Sequence, residues 1–543
     1  MSLTQIGISG LQASQTSLNV ASNNIANAET EGYSRQRVYW FPTYTLHPGV
    51  GTKGTGVNAS SVDRIANSFL TAQMWESQSL AEKTATFSGY IDSLDQWLGD
   101  DSTSLTSGLE SFFTTLNGAT VDPYSSAARQ VILSESNKLA QQFTTLNNQI
   151  VGHQGLAGRQ LEASVAEANG LLANIAGFND QLKKISASGE VANEMLDQRD
   201  LAVKELSKLM GINVLEQPDG NLNIYLKSGQ PLLIGDQRNS LSVTGSASHP
   251  DGFSLAFESD SASLQVHGDP GGSIGGILNY QNGTLRQAQN EIGRLAVVIA
   301  STINAQLRLG EDVNGNSGVD LFSDLTNPAS GIFSLDVAST SVSDMRITDS
   351  SQLKASDYDL RVDNTGNYVI TRLSDGVQFS GSLSGAGTDT LSFDGVEIDI
   401  NGAATDQAYR LSPVRYGARD IDAVLTEPFA LALAAPGSGV ADNSNLQTIL
   451  QLQNDALIEG QSSLTESYTR FIGDIAVQTS QAKTEADGGK KLFEQAEASR
   501  NAYSGVNLDE EAANLLRFQQ LYSANAQVIS VARQTFDSLL RMF

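Results

Sequence analysis

The chain has 543 residues, a net charge of −27 from 33 Lys and Arg against 60 Asp and Glu, and no cysteine. That length exceeds one ordinary core and predicts three or four domains. The acidic balance argues against nucleic acid and against insertion into or binding to an anionic membrane, since both depend on clustered Lys and Arg. The missing cysteine excludes disulfides, zinc thiolates and a cysteine nucleophile. Only 17% of residues are charged, so Ser, Thr, Asn, Gln and Gly must fill the surface, a composition suited to repetitive contacts in a polymer. No run of about twenty apolar residues predicts a membrane span. The opening Met1 to Ile6 lacks the basic start and apolar stretch of a secretory signal, so export would need a route without one.

Residues 3 to 28 read as an amphipathic helix ending near Gly32. Leu11, Leu18 and Ile25 recur every seven residues. Ser14, Ala21 and Ala28 take the alternate seam positions, where small side chains let another helix come close. Asn19, Asn23 and Asn27, four apart, are either a polar ladder that sets register between packed helices or a solvated face. Residues 33 to 60, with Pro42, Pro48 and four glycines, read as an extended or hairpin-like stretch. A helical tract is expected from 62 to 117, and further helices to about 210.

At Gly211 the period changes. Ile212, Val214, Leu222, Ile224 and Leu226 alternate with polar residues, which predicts a β-rich insertion to about 270. The glycines from Gly271 to Gly276 read as a hinge or tight turn before a helix over 277–309. A second β region spans 331–412, and helix returns from about 443 to 504. The last segment, 508–543, carries two adjacent seams. One is Ala512, Leu515, Gln519, Tyr522, Ala526, Ile529, Arg533, Phe536, Leu540 and Phe543. The other is Phe518, Leu521, Val528, Ala532, Leu539 and Met542. Two seams suit contact with more than one neighbour. Burial of this segment's apolar side chains falls short of the entropy of ordering it. It is therefore expected to stay largely unfolded until neighbouring subunits cover it.

These elements predict an α+β multidomain fold, with long terminal helices and a helical-bundle stalk that carries inserted β-rich outer domains. The expected divisions are 1–40 with 506–543 as a coiled-coil assembly unit, and 41–210 with 271–330 and 413–505 as the stalk. The β-rich insertion takes 211–270 and the outer β domain 331–412. The assembly face is expected at Leu11, Leu18, Asn19, Asn23, Ile25 and Asn27 of the first helix. On the last it is expected at Leu515, Phe518, Tyr522, Ile529, Phe536 and Leu540.

Catalytic chemistry is not apparent. Asp312, Asn314 and Asn316 are spaced as in a calcium loop, but Ser317 and Ser323 stand where Gly and Glu are needed. Asp197, Arg199 and Asp200 read as a salt-linked surface. The four histidines are scattered, and no phosphate loop or nucleophile elbow occurs. No enzyme activity, metal or cofactor is expected.

Several blocks carry a family resemblance. The stretch from Ser9 to Ala28 resembles the N-terminal signature of flagellar rod and hook axial proteins. Residues 31–38, from Glu31-Gly32-Tyr33 to Val38, narrow the resemblance to the flagellar hook-associated protein 1 family. Gly54-Thr55-Gly56-Val57, Leu196 to Asp200, Ile303-Asn304 and Ser504 to Leu515 are similar to further blocks of that family. Asn67 and Leu307 depart from it, where an acidic residue and a His would be expected. The resemblance covers nearly the whole chain, loosely over 331–412. It implies a structural adaptor in a ring-like layer at the hook–filament junction, outside the cell. Its implied partners are the hook protein, the second junction protein (hook-associated protein 3) and copies of itself. It also implies unfolded passage through the flagellar type III export channel and a cytoplasmic export chaperone on the C-terminal helix. Other readings are another flagellar axial protein, whether hook, filament or second junction protein, and a secreted adhesin using the β modules.

Overall fold

The computed structural model describes residues 3–47, 51–100, 104–186, 191–246, 249–258, 264–335 and 341–541. Helix α1 (Leu3–Ala26) opens the chain and a turn follows it, closed by Gly32 at φ +83°. The helix thus stops six residues before Gly32. Strands β1 (Gln36–His47) and β2 (Gly51–Arg64) form an antiparallel hairpin with two register shifts, each placing an extra residue in β2. Such bulges bend and twist a ribbon, and this one lies against α1.

The helical tract expected over 62–117 is a strand end and two helices, α2 (Ser68–Leu98) and α3 (Leu105–Gly118). Asn67 caps α2 by accepting from the Phe69 and Leu70 N–H groups at 3.0 and 3.3 Å. Asn and Asp serve equally as caps, so the departure at 67 leaves the helix start intact. Helix α4 (Ser126–Ser186) runs 61 residues, about 90 Å at 1.5 Å per residue. Helix α5 (Asn193–Leu209) returns along it.

The first β region holds two antiparallel sheets. One has the order β3-β4-β5-β6 (Ile212–Glu216, Leu222–Leu226, Pro231–Ile234, Gln237–Arg238), and the other the order β7-β8-β9 (Leu241–Ser246, His249–Phe257, Leu264–Gln265). The chain re-enters the body through α6 (Gly272–Asn279), a π turn (Tyr280–Leu285) and α7 (Arg286–Arg308). Every residue from Ala288 to Ala300 is buried. A helix apolar on one side only would not allow this; α7 is the axis around which the body packs.

The second β region spans β10 (Ile332–Ser334), β11 (Val342–Ile347), β12 (Tyr358–Val362), β13 (Asn367–Arg372), β14 (Gln378–Ser382), β15 (Thr388–Phe393), β16 (Val396–Asn401) and β17 (Gln407–Leu411). They form a five-stranded sheet, β10-β17-β12-β13-β14, and a three-stranded sheet, β11-β16-β15. Two short helices follow, α8 (Gly417–Asp420) and α9 (Ser444–Gln451), then α10 (Leu464–Ser504) and α11 (Leu508–Leu540). The helix expected from 443 to 504 is therefore two. Glu459 and Gly460, both at positive φ, turn the chain between them, and Ser463 with Glu466 forms a capping box that starts α10. The architecture is α+β and multidomain, with long terminal helices and β-rich insertions in a helical body.

Gly271 and Gly272 have positive φ and make the expected turn. Gly275 and Gly276 are helical instead, and α6 presses them against α2. A Cβ on Gly276 would lie 2.6 Å from the Lys83 carbonyl and 2.9 Å from Thr86 Cβ. Gly276→Ala should lower the stability of the helical body by about 1–3 kcal/mol. Denaturant unfolding followed by far-ultraviolet circular dichroism reads this out.

Candidate assembly interface

The two ends of the chain meet. Helices α1 and α11 pack antiparallel, with Gly7 against Ile529, Gly10 against Asn525 and Asn24 against Glu511. The buried side of α1 comprises Gly7, Gly10, Ala13, Ser14, Ser17, Ala21 and Asn24. A Cβ on Gly7 would sit 2.7 Å from Ile529 Cγ1, so only glycine permits this approach. The Ser14 and Ser17 hydroxyls donate to the Gly10 and Ala13 carbonyls at 2.7 and 3.0 Å, so they pack as small side chains whose protons are used within the helix. Leu11, Leu18 and Ile25 flank this seam, half-buried. The helix therefore meets α11 through its small residues, and the leucines stand one position aside.

On α11 the facing residues come from both expected seams and from neither. Leu515, Tyr522 and Ile529 are half-buried with Phe518 and Leu521, Ala532 is buried, and Glu511, Asn514 and Asn525 join them. Trp40 of the hairpin donates to Ser17 Oγ at 3.0 Å and lies 6.1 Å from the Phe518 ring. The expectation that this segment lacks cover within a single chain is thus overturned. Its partner, α1, lies some 480 residues away in sequence; the expected unit of 1–40 with 506–543 joins the two ends, but the burial estimate for 508–543 did not count α1 as cover.

A polar joint fixes where this unit meets the body. Asn24, 1% exposed, accepts from the Gln36 N–H at 2.9 Å and donates to the Gln36 carbonyl at 2.9 Å, as a strand neighbour would. It also donates to Glu511 at 3.2 Å and accepts from the Tyr33 hydroxyl at 2.8 Å. Arg35 binds Glu511 at 2.6 Å and Glu510 at 2.7 Å. The Arg35 N–H donates to the Ser504 carbonyl at 2.8 Å, and the Ile65 N–H to the Arg35 carbonyl at 2.7 Å. On the body side, Asp197 accepts from the Ser34 N–H at 3.0 Å and from Arg64 at 3.1 Å, while Arg64 reaches Asp200 at 2.6 Å. Burial holds the Asp197 carboxyl above its usual range, although Ser34 and Arg64 pull it down. Arg199, 1% exposed, donates to the Gly220 carbonyl at 2.7 Å. Asp197, Arg199 and Asp200 are therefore a buried tie between parts of the chain, not a surface network. The alternating charges gave no sign of burial, because their partners lie far off in sequence.

Of the asparagine ladder, Asn19 is exposed and accepts from Gln15 at 3.2 Å, and Asn27 donates to Asn23 at 2.9 Å at the helix end. Neither contact crosses to α11. Asn24 does, and its signal was in the sequence: it continues the three-four spacing of Gly7, Gly10, Ser14, Ser17 and Ala21. The loop at Asp312 is closed upon itself. Its carboxylate accepts from Asn314 and Asn316 N–H groups, both at 2.8 Å, and from the Asn316 side chain at 3.1 Å.

Much apolar surface at this end has no cover. Towards the end of α11, Phe536 is 62% and Leu540 61% exposed among the described residues. Leu516, Val528 and Val531 line the outer side of α11, and Leu3, Ile6 and Ile8 stand exposed on α1, with Phe41 and Tyr44 on the hairpin. Phe543 and Met542, and the Leu539 side chain, lie outside the described residues.

Asn24→Ala should strip partners from Gln36, Tyr33 and Glu511 and cost about 2–4 kcal/mol locally. Amide exchange should quicken across 511–532 while α7 is unchanged. The Tyr33 hydroxyl is pushed up to about 12, by burial first and then by Asp197, Glu194 and Glu511. A raised value means that Tyr33 stabilises the joint fully below its unfolded pKa of about 10. That contribution is lost as pH rises from there towards 12. Unfolding curves across this alkaline window should fall for the native chain and fall less steeply for Tyr33→Phe, since other buried tyrosines remain.

Comparison with known proteins agrees along the chain. Residues 91–322 match the model of the flagellar hook-associated protein FlgK helical domain, and 336–411 that of the flagellar hook-associated protein 1 D2-like domain. Residues 5–33 match the flagella basal body rod protein model, and 499–542 the flagellar basal body rod FlgEFG protein C-terminal model. The chain is 32% identical to flagellar hook-associated protein 1 of Salmonella typhimurium, over all of both chains. It is 23% identical to that of Bacillus subtilis, covering 98% of this chain and 96% of the relative. Its fold is similar to the flagellar hook junction protein FlgK from Burkholderia pseudomallei, with a TM-score of 0.73 at 21% identity, covering 80% of this chain and all of that one. With a relative above 30% identity matched end to end, the chain belongs to the flagellar hook-associated protein 1 family.

Proposed function

We infer that this chain is a structural adaptor at the bacterial flagellar hook–filament junction, assembling through its paired terminal helices. The observation that carries the reading is the exposed apolar end of α11, where Phe536 and Leu540 stay more than half open among the described residues. An uncovered apolar strip on a rigid helix end is stable only against a neighbour. The assembly face includes Leu11, Leu18 and Ile25, which flank the α1–α11 seam, and Leu515, Phe518, Tyr522 and Ile529, which hold α11 in place. Asn19, Asn23 and Asn27 then serve as the polar edge of that face. We extend the assembly unit from 1–40 to the end of the hairpin at Arg64, because β2 packs on α1 and the Val57 N–H donates to Ser9 at 3.2 Å. The stalk and the two β regions face outward.

Hook protein, the second junction protein and copies of this chain are the partners that this reading assigns. The chain has a structural role and no catalytic one, and works outside the cell in the flagellum. A flagellar export chaperone fits the outer side of α11, where Leu516, Val528 and Val531 need cover before assembly.

Deleting the gene should leave hooks without filaments and filament subunits in the medium, and labelled antibody should mark a band between hook and filament. Normal filaments after deletion, or label along the hook or filament, would sink the assignment. Phe536→Asp with Leu540→Asp should leave the monomer's circular dichroism and melting unchanged and abolish swimming, each removing about 2 kcal/mol of contact. Ile529→Asp should block assembly too and also loosen α11 from α1, with the body still folded.

A further inference from the structure

Residues 272–308 form one helical run broken only by the π turn Tyr280–Leu285. Such turns insert an extra residue, persist only where their surroundings hold them, and concentrate at functional sites. This one lines a small cavity where four parts of the chain converge. Gln154 comes from α4, Gly252 from β8, Gln281 and Arg286 from the π turn and α7, and Arg415 from just beyond β17. The cavity measures about 10 Å³, room for one water-sized occupant.

Two of its walls are polar and unsatisfied. Gln281 is 3% exposed, and neither of its amide atoms has a hydrogen-bond partner among the described residues. Nε of Arg415, a residue 2% exposed, has none either. Buried groups of this kind are rare in native folds, and an unseen ion or water usually accounts for them. Charge separates the two. Arg415 pairs with Asp357 and Arg410 with Asp359. Arg286 donates to Asn282 Oδ1 at 3.1 Å, and the carboxylate beside its Nε, at 3.9 Å, is Asp357, which Arg415 already engages. Burial pushes the Arg286 guanidinium down to about 10, and Arg415 and Arg410 add to that effect. A neutral water satisfies hydrogen bonds and leaves this surplus positive charge standing. A small anion answers both.

We propose that this cavity binds a single halide ion, chloride in physiological media, held by the Gln281 amide nitrogen, Arg286 and Nε of Arg415. Polyatomic anions such as gluconate are too large to enter. The ion ties the π turn to the exit from the second β region and to a strand of the first.

The test uses the full chain. Crystals grown in bromide should show an anomalous peak in the cavity. In solution, amide exchange across 280–289 should be about tenfold slower in chloride than in gluconate at equal ionic strength. Gln281→Leu, checked for native circular dichroism, should lose that difference. An ordered water without bromide signal would overturn the proposal, as would exchange that follows ionic strength alone in the native chain.

Discussion

The assembly end of this molecule depends on how near α1 and α11 can lie. Gly7 and Gly10 remove the side chains that would hold the helices apart, and Ile529 and Asn525 fill the space. Dispersion attraction falls off steeply with distance, so this closeness gives the pair its strength from few large residues. Asn24 then closes the seam at the far end, where a small apolar residue would leave the Gln36 backbone groups unpaired. Because the pair forms from within one chain, the larger apolar side chains of α11 stay available for neighbours.

The joint to the body relies on buried charge. Arg64 with Asp197 and Asp200, and Arg35 with Glu511, sit where water is scarce, while Glu510 meets Arg35 from the exposed side. Replacing such pairs by apolar residues is often neutral for stability, since desolvation offsets much of their attraction. Their value is directional: each guanidinium is held between two carboxylates, so the angle between helix pair and body is specified.

The sequence was most legible where period alone decides. Both terminal helices, the change to alternation at Gly211 and the two β regions follow from local pattern. What it concealed were the long-range pairings. No local rule brings Asn24 to Glu511 or Ser34 to Asp197, so Asn24 passed unnoticed and Arg199 looked like a surface residue. The seam of α1 was misread for a related reason. Ser14 and Ala21 stood at the expected close-approach positions and are buried there, but Leu11, Leu18 and Ile25 were expected beside them where Gly7, Gly10 and Ser17 make the closest packing. The helix breaks at Gly99 and Glu459 show the same limit, because apolar spacing continues on both sides of each interruption.

Where helix pair meets body, three stretches of backbone, at Arg35, Ile65 and Ser504, lie side by side and are lashed together by main-chain hydrogen bonds. A single strand there would swivel freely, and two would still act as an axle. Three bonded edge to edge resist torsion, so a rotation of the helix pair is carried into the body with little lost to wind-up.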